Sequence, residues 1–205
     1  MAQFFQIHPD NPQNRLINQA VDIVHGGGII VYPTDSSYAL GCHIGDKSAL
    51  QRMRRIRRVD DTHDFTLACR DLSEIATYAK IDNNQYRILK AYTPGAYTFI
   101  NKATKQVPKR LLHDKKKTIG IRIPDNKIAL ALLEALGEPM LTSTLLLPGD
   151  EYPLTDPYEM KDLIGQDVDL IIDGGYCGME ETSMINLEED TPEILRVGLG
   201  DVSNF

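Results

Sequence analysis

The chain has 205 residues, of which 42% are hydrophobic and 25% are charged; this composition indicates a globular protein with a sizeable core and excludes a disordered or fibrous one. No apolar run approaches the length of a membrane span, and the first residues lack a basic segment followed by an apolar core, so a cytoplasmic protein is expected. The three cysteines have no disulfide or metal-ligand spacing, so they are predicted to be small buried side chains and no metal site is predicted.

The net charge of −7 hides a strong asymmetry along the chain. Residues 1–127 carry 20 Lys and Arg against 12 Asp and Glu, whereas residues 128–205 carry 2 against 17. Clustered basic residues are typical of a surface that binds a polyanion, although a solvated helix face shows the same pattern. The residues predicted to bind RNA are Arg54, Arg55, Arg57, Arg58, Lys115, Lys116 and Lys117.

Hydrophobic periodicity predicts helices and strands that alternate along the first half of the chain. A predicted helix over residues 16–24 ends at three glycines, and a buried strand over 29–32 follows it and stops at Pro33. The next predicted elements are a short apolar segment at 38–40, a helix at 47–58, a strand at 65–69, helices at 71–78 and 83–92, and a strand at 96–100. Asp71 and Glu74 have the spacing of a helix N-terminal capping pair.

The second half continues the alternation. A strand over residues 118–123 precedes a helix that is predicted to be capped by Asp125 and to end at Gly137. The remaining predicted elements are a strand at 140–144, a helix at 157–164, and strands at 168–172, 184–187 and 194–197. This order predicts one α/β domain over residues 1–205, with helices on the faces of a mixed, open sheet.

Hydroxyl-bearing residues lie at the ends of several predicted strands. Thr34 follows the first strand, Thr142 lies in a later one, and Thr182 precedes another. Hydroxyl and backbone donors at such positions suit anionic oxygens, and Arg122 and Arg196 add guanidinium groups that hold phosphate or carboxylate at two points. The pattern predicts a pocket for a phosphorylated ligand. The chain has no Walker loop, no GxGxxG segment and no nucleophile pair, which argues against hydrolysis by an enzyme nucleophile.

The segment YPTDSSYALGC at residues 32–42 resembles the YPT-D/E-T-x-Y-G-L-G-C signature of the YrdC-like proteins. Five further motifs follow in the order of that family: TPGAYTF at 93–99, GIRIPD at 120–125, DGG at 173–175, TSMIN at 182–186 and ILRVG at 194–198. The resemblance covers nearly the whole chain. The run FTLACRDLSE at 65–74 is most similar to the YciO branch of the family.

This resemblance implies a YrdC-like fold, with a twisted mixed sheet and a large concave basic surface. It also implies a nucleotide-binding protein similar to the threonylcarbamoyl-adenylate synthases, which are nucleotidyltransferases that use threonine, bicarbonate and ATP and serve tRNA modification. ATP would be a substrate accompanied by Mg²⁺, and no tightly bound cofactor is implied. The implied partners are a nucleotide and a small carboxylic substrate, with tRNA or double-stranded RNA as a further ligand and no membrane.

The family motifs assign roles to residues of this chain by resemblance. The positions implied to bind the small substrate are Thr34, Tyr38, Thr142 and Thr144. The positions implied to bind the nucleotide are Arg57, Thr144, Thr182 and Arg196. The positions implied to be catalytic are Arg57, Arg58 and Arg122.

Two positions lose a polar side chain of the family pattern. The K-x-R motif of the family falls at residues 57–59, where its lysine becomes Arg57 and its arginine becomes Val59, with Arg58 as a candidate substitute. The S-x-N motif falls at 144–146, where its serine becomes Thr144 and its asparagine becomes Leu146. Because the side chains of Val59 and Leu146 cannot hydrogen-bond, the synthase activity is expected to be impaired or altered. The alternative is a non-catalytic protein that binds double-stranded RNA or tRNA through its basic surface.

Overall fold

In the computed structural model, which describes residues 1–60, 63–112 and 115–205, ten strands form one sheet and six α-helices pack on it. The strands are β1 (Gln3–Gln6), β2 (Ile30–Tyr32), β3 (Ala39–His43), β4 (Thr66–Ala68), β5 (Tyr97–Lys102), β6 (Thr118–Arg122), β7 (Met140–Thr144), β8 (Leu170–Asp173), β9 (Ser183–Asn186) and β10 (Glu193–Arg196). The helices are α1 (Asn14–His25), α2 (Lys47–Arg57), α3 (Leu72–Tyr78), α4 (Asn83–Tyr92), α5 (Lys127–Leu136) and α6 (Pro157–Ile164).

The sheet is mixed, as predicted. Its strand order is β1-β8-β2-β3-β7-β4-β6-β5-β9-β10, so β1 and β10 are the edges. The pairs β1–β8, β2–β8, β4–β6 and β5–β9 are parallel, and the other neighbours are antiparallel. The edge strand β1 was not predicted, because four residues that are exposed or only partly buried leave a weak hydrophobic pattern.

Both faces of the sheet carry a hydrophobic core, because side chains alternate between the faces along each strand. Val31 and Ile171 belong to the core under α2, α3, α4 and α6. Their neighbours Ile30, Tyr32 and Leu170 belong to the core under α1 and α5. The strands in the middle of the sheet are therefore apolar on both sides, which explains their continuous hydrophobic runs.

The cap of helix α5 differs from the prediction. The side chain of Asn126, not of Asp125, accepts hydrogen bonds from the backbone N–H groups of Ile128 and Ala129, both at 3.0 Å. The backbone N–H of Asp125 instead donates to a carboxylate oxygen of Asp35 at 3.0 Å. Asp125 therefore joins α5 to the turn after β2 through its backbone and leaves its own carboxylate exposed.

The predicted end of α5 is confirmed, and the predicted capping pair of α3 is confirmed in part. Gly137 ends α5 with φ at +72°, in the left-handed region that glycine adopts without strain. Asp71 caps α3 by accepting from the N–H of Glu74 at 2.8 Å, but the Glu74 carboxylate accepts from the N–H of Arg70 and not from Asp71.

The three cysteines are buried and form no disulfide. Among the helices that the structure describes, none is long and apolar enough to cross a membrane.

The two candidate caps of α5 can be separated by mutation. We expect Asn126→Ala to lower the free energy of unfolding by about 1 kcal/mol, because two N–H groups of the first helical turn lose their acceptor. The matched variant Asp125→Ala keeps its backbone bond to Asp35 and is expected to change stability by less than about 0.5 kcal/mol. Urea denaturation measures both values. An equal loss in the two variants would contradict the assignment of the cap.

Candidate functional site

The turn after β2 is held by its own hydroxyl groups. The Thr34 hydroxyl donates to the carbonyl of Ser37 at 2.6 Å and accepts from the N–H groups of Ser36 and Ser37, both at 3.2 Å. All three residues are buried, and the Thr34 hydroxyl satisfies the N–H groups of Ser36 and Ser37, which water does not reach. Thr34 therefore shapes the wall of the site, while its hydroxyl is already engaged within the turn.

A buried ion pair joins this turn to the end of β6. The guanidinium of Arg122 pairs with the carboxylate of Asp35, and the two side chains are only 9% and 11% exposed. Arg122 also donates to the hydroxyl of Ser36 at 3.4 Å, while Asp35 accepts the N–H of Asp125. Most of the positive charge of Arg122 is thus balanced by a carboxylate of the protein.

A second arginine is fixed near the β10 edge of the sheet. Arg196, in β10, donates to the carbonyl and the hydroxyl of Thr182 at 3.0 and 3.2 Å and pairs with Glu181 at 2.9 Å. The hydroxyls of Thr182 and Thr98 lie 2.8 Å apart. This network aligns β9, β10 and β5 along one edge of the site.

Arg57, in the last turn of α2, is held differently. It donates to the carbonyl of Thr144, and its Nε is buried without a hydrogen-bond partner in the described part of the chain. Burial lowers the pKa of Arg57, and the nearby negative charge of Glu181 opposes that effect. Arg57 forms no ion pair with any described carboxylate, so it is the cavity arginine whose charge is least compensated.

These groups surround a cavity with about 600 Å³ of empty space, part of which is open to solvent. It lies on the sheet face that α1 and α5 cover elsewhere, since Ala39 belongs both to its wall and to the core beneath those helices. The Thr142 hydroxyl in this wall is engaged by Tyr32 at 2.8 Å and by the Leu40 carbonyl at 3.1 Å. The lining residues are Thr34, Ser37, Ala39, Arg57, His63, Asp64, Thr66, Thr98, Arg122, Thr142, Ser143, Thr144, Glu181, Thr182, Met184 and Arg196.

Seven of the residues that the sequence singled out lie together in this wall, although they come from distant parts of the chain. They are Thr34, Arg57, Arg122, Thr142, Thr144, Thr182 and Arg196. Three titratable residues of the wall were missed: Glu181, Asp64 and His63. Glu181 directly precedes Thr182, which was the available signal, whereas a lone histidine gives no spacing by which to recognise it.

Tyr38 does not line the cavity. Ser37 and Ala39 face it, so strand alternation turns the intervening Tyr38 towards the opposite face, where it is fully buried. Its hydroxyl accepts from the N–H of Gly174 at 3.2 Å and donates to the carbonyl of Gly175 at 2.6 Å. Burial raises the pKa of Tyr38, so the phenol stays protonated and ties the turn after β8 to the start of β3.

Arg58 also lies outside the cavity. It follows α2 in a left-handed conformation, with φ at +49°, and is exposed beside a separate basic depression that Arg55 also lines. Arg54 is buried, with its guanidinium 5.8 Å from the centre of the Phe65 ring. The arginines that were predicted as one RNA surface are therefore divided between the core, the cavity and the exterior.

The predicted lysines of the RNA surface, Lys115, Lys116 and Lys117, are exposed, and Lys116 pairs with Glu188 at 3.3 Å.

The two positions that lose a polar side chain of the family pattern, Val59 and Leu146, do not line the cavity. Val59 packs against the core, and the backbone N–H of Leu146 donates to the Thr144 carbonyl at 3.0 Å.

Residues 22–198 match the model of the Sua5/YciO/YrdC family, whose description is "Telomere recombination". The chain belongs to this family, which confirms the resemblance carried by its motifs. It is 62% identical to the protein YciO of Escherichia coli strain K12 over 205 residues, which is the full length of both chains. It is also 26% identical to the threonylcarbamoyl-AMP synthase of Pyrococcus abyssi over 185 residues, or 89% of this chain and 54% of the other.

Solved structures show the same fold. The crystal structure of E. coli YciO aligns with a TM-score of 0.95 over 99% of this chain and 98% of the other. The crystal structure of P. abyssi Sua5 complexed with L-threonine aligns with a TM-score of 0.87 at 23% identity, over 95% of this chain and 57% of the other. The chain is thus an α/β protein of the Sua5/YciO/YrdC family, related to threonylcarbamoyl-AMP synthases.

The buried pair between Arg122 and Asp35 gives a direct test of the site's architecture. We expect Asp35→Ala to lower the free energy of unfolding by about 3 to 5 kcal/mol, because it leaves a buried guanidinium without its counter-charge. The control is Asp10→Ala, which breaks the exposed pair with Lys127 and is expected to cost less than about 1 kcal/mol. Similar losses in the two variants, measured by denaturant unfolding, would show that the pair is not a buried anchor.

Proposed function

We propose that the cavity binds the phosphates of ATP beside a small carboxylic substrate and that the protein forms a carbamoyl-adenylate from threonine, bicarbonate and ATP. The observation that carries this proposal is the position of Arg57, whose charge is not paired with a described carboxylate. Arg122 and Arg196 reach the same cavity from separate strands. Three guanidinium groups around one cavity favour a polyanionic ligand.

Relatives support the choice of reaction. The P. abyssi relative carries the name threonylcarbamoyl-AMP synthase, and a structure of Sua5 from that organism contains L-threonine. In the proposed reaction the threonine amine combines with bicarbonate to form a carbamate and water, and a carbamate oxygen then attacks the α-phosphorus of ATP. An oxygen–phosphorus bond forms, the bond to the β-phosphate oxygen breaks, and pyrophosphate leaves with the electron pair.

The cavity residues would act by position and charge. Arg57 is placed to neutralise negative charge that develops on the phosphates, because it has no described carboxylate to satisfy it. Thr144 lies in the same wall, and its hydroxyl group would orient ligand oxygens. Arg122 and Arg196 would add donors while their own carboxylate partners hold them in place.

Mg²⁺ would enter with ATP. The described residues contain no group of three side chains suited to hold a metal ion by themselves. Glu181 is a carboxylate of the cavity wall, and Mg²⁺ in nucleotide sites is held largely by substrate phosphates and one or two carboxylates. Glu181 pairs with Arg196 through its Oε2, so its Oε1 would be the protein ligand of such an ion, and the metal would reduce the charge of the phosphates.

RNA binding stays a prediction. Arg54 is buried and Arg57 faces the cavity, so only part of the arginine run is available to a nucleic acid backbone. The exposed members of the predicted RNA surface are Arg55, Arg58, Lys115, Lys116 and Lys117. Among these, Lys116 is already paired with Glu188. The cavity therefore supports a small-molecule function better than the exposed cations support an RNA one.

The proposed reaction is tested by incubating the protein with ATP, Mg²⁺, threonine and bicarbonate and measuring pyrophosphate. We expect threonine-dependent release, and we expect Arg57→Gln to lower its rate about a hundredfold because a positioned cation is removed. The adjacent Arg58→Gln is the control and is expected to change the rate by less than about threefold, since Arg58 lies outside the cavity. Absence of release above a protein-free blank, or equal rates in the two variants, would reject the proposal.

A further inference from the structure

His63 is a part of the cavity wall that no motif pointed to. Its ring lies edge-on to Phe65, with the ring centres 5.0 Å apart, and its backbone N–H donates to the Asp60 carbonyl at 3.3 Å. Within residues 1–60, 63–112 and 115–205, neither ring nitrogen has a hydrogen-bond partner. A half-buried imidazole with both nitrogens available, in a cavity with three arginines, is a candidate ligand group.

The charges around His63 oppose its protonation in the free protein. Burial lowers the pKa of His63, and the positive charge of Arg57 lowers it further. The negative charge of Asp64 opposes this shift, Arg54 acts in the same direction as Arg57, and Asp60 opposes it. The charged residues of the wall that come from other elements are Arg122, Arg196 and Glu181. At neutral pH the imidazole is therefore uncharged beside an arginine without a described ion-pair partner.

We propose that His63 and Arg57 together bind a phosphate group and that His63 takes up a proton when the phosphate binds. An oxyanion between the two side chains would cancel the repulsion that Arg57 exerts on an imidazolium, and it would accept a charge-assisted hydrogen bond from it. The choice of phosphate rests on the proposed function. The pairing of the two side chains rests on their places in one cavity wall, where the Arg57 Nε has no described partner. His63 would thus make the affinity of the cavity for phosphate depend on pH.

The sign of this dependence follows from linkage. The pKa of His63 is below its ordinary value in the free protein and would be raised in the complex. Between the two values, binding takes up a proton, so affinity increases as pH falls through the pKa of the complex and levels off below that of the free protein. If His63 only packed in the wall, its titration would not make the affinity for phosphate depend on pH.

The experiment measures the dissociation constant of inorganic pyrophosphate by calorimetry between about pH 5.5 and pH 8, a range that spans the titration of a histidine. The His63→Gln variant keeps a hydrogen-bonding side chain that does not titrate. The ratio of the two dissociation constants cancels the titration of pyrophosphate itself. We expect wild type to gain about threefold to tenfold over the variant as pH falls across this range, since a pKa rise of one unit corresponds to tenfold.

Two controls make the result specific. His8→Gln removes an exposed histidine whose Nδ1 is bound by its own loop, and it is expected to follow wild type at every pH. Proton NMR of the His63 ring in wild type, with and without pyrophosphate, reports the rise in pKa without any substitution. The same titration with AMP distinguishes a site for the leaving pyrophosphate from one that takes any nucleotide phosphate.

A constant ratio between wild type and His63→Gln, or a His63 titration that pyrophosphate does not move, would overturn the inference. Either result combined with threonine-dependent pyrophosphate release would leave the proposed reaction standing. Proton-linked binding without such release would instead support the phosphate subsite and reject the reaction. Failure of wild type to bind pyrophosphate at any pH in this range would also overturn the inference, while the release assay decides the reaction separately.

Discussion

The ion pair between Asp35 and Arg122 is the constraint on which the site depends. Asp35 lies in the turn after β2 and Arg122 at the end of β6, and these strands are not neighbours in the sheet. Burying two charges costs several kcal/mol unless each is paired and hydrogen-bonded, so this pair tolerates few alternative geometries. Asp35 also accepts the backbone N–H of Asp125 just before α5, so one carboxylate sets the position of a turn, a strand end and a helix start. The wall of the cavity is thus fixed by a polar contact placed among apolar strands.

The pairing of arginines with carboxylates also determines what the cavity can bind. Arg122 and Arg196 each have a carboxylate partner, so an incoming anion must share them with Asp35 and Glu181. Arg57 is instead held by a carbonyl dipole, which positions the guanidinium without neutralising it. A cavity with three arginines and three acidic neighbours is therefore less basic than its arginine content suggests, and its electrostatic preference is concentrated near α2. His63 lies on that side of the cavity, where its protonation state responds most strongly to an anion.

The strands and helices with strong periodicity could be predicted from the sequence. The seven cavity residues could also be predicted, because they belong to family motifs, and the sheet and the end of α2 bring these motifs together. The prediction was wrong where the orientation of a side chain, not its identity, decides the role. Tyr38 sits inside a motif, yet the period of two along β3 turns it away from Ser37 and Ala39. Arg58 directly follows Arg57, but its left-handed backbone conformation at the end of α2 places its side chain outside the cavity. Neither outcome can be derived from residue type alone.

The two positions that lose a polar side chain of the family pattern, Val59 and Leu146, both lie outside the cavity wall. Val59 packs against the core and Leu146 lies outside the cavity wall, so neither leaves an unsatisfied polar group inside the site. The position of the family's lysine is occupied by Arg57, whose planar group can donate to the Thr144 carbonyl and still present other N–H groups to a ligand. A lysine ammonium is a compact charge and lacks the separate N–H groups that let a guanidinium contact the carbonyl and a ligand at once. The chain therefore keeps a cation at this position of the family pattern, and its contact with the Thr144 carbonyl places that cation in the cavity wall.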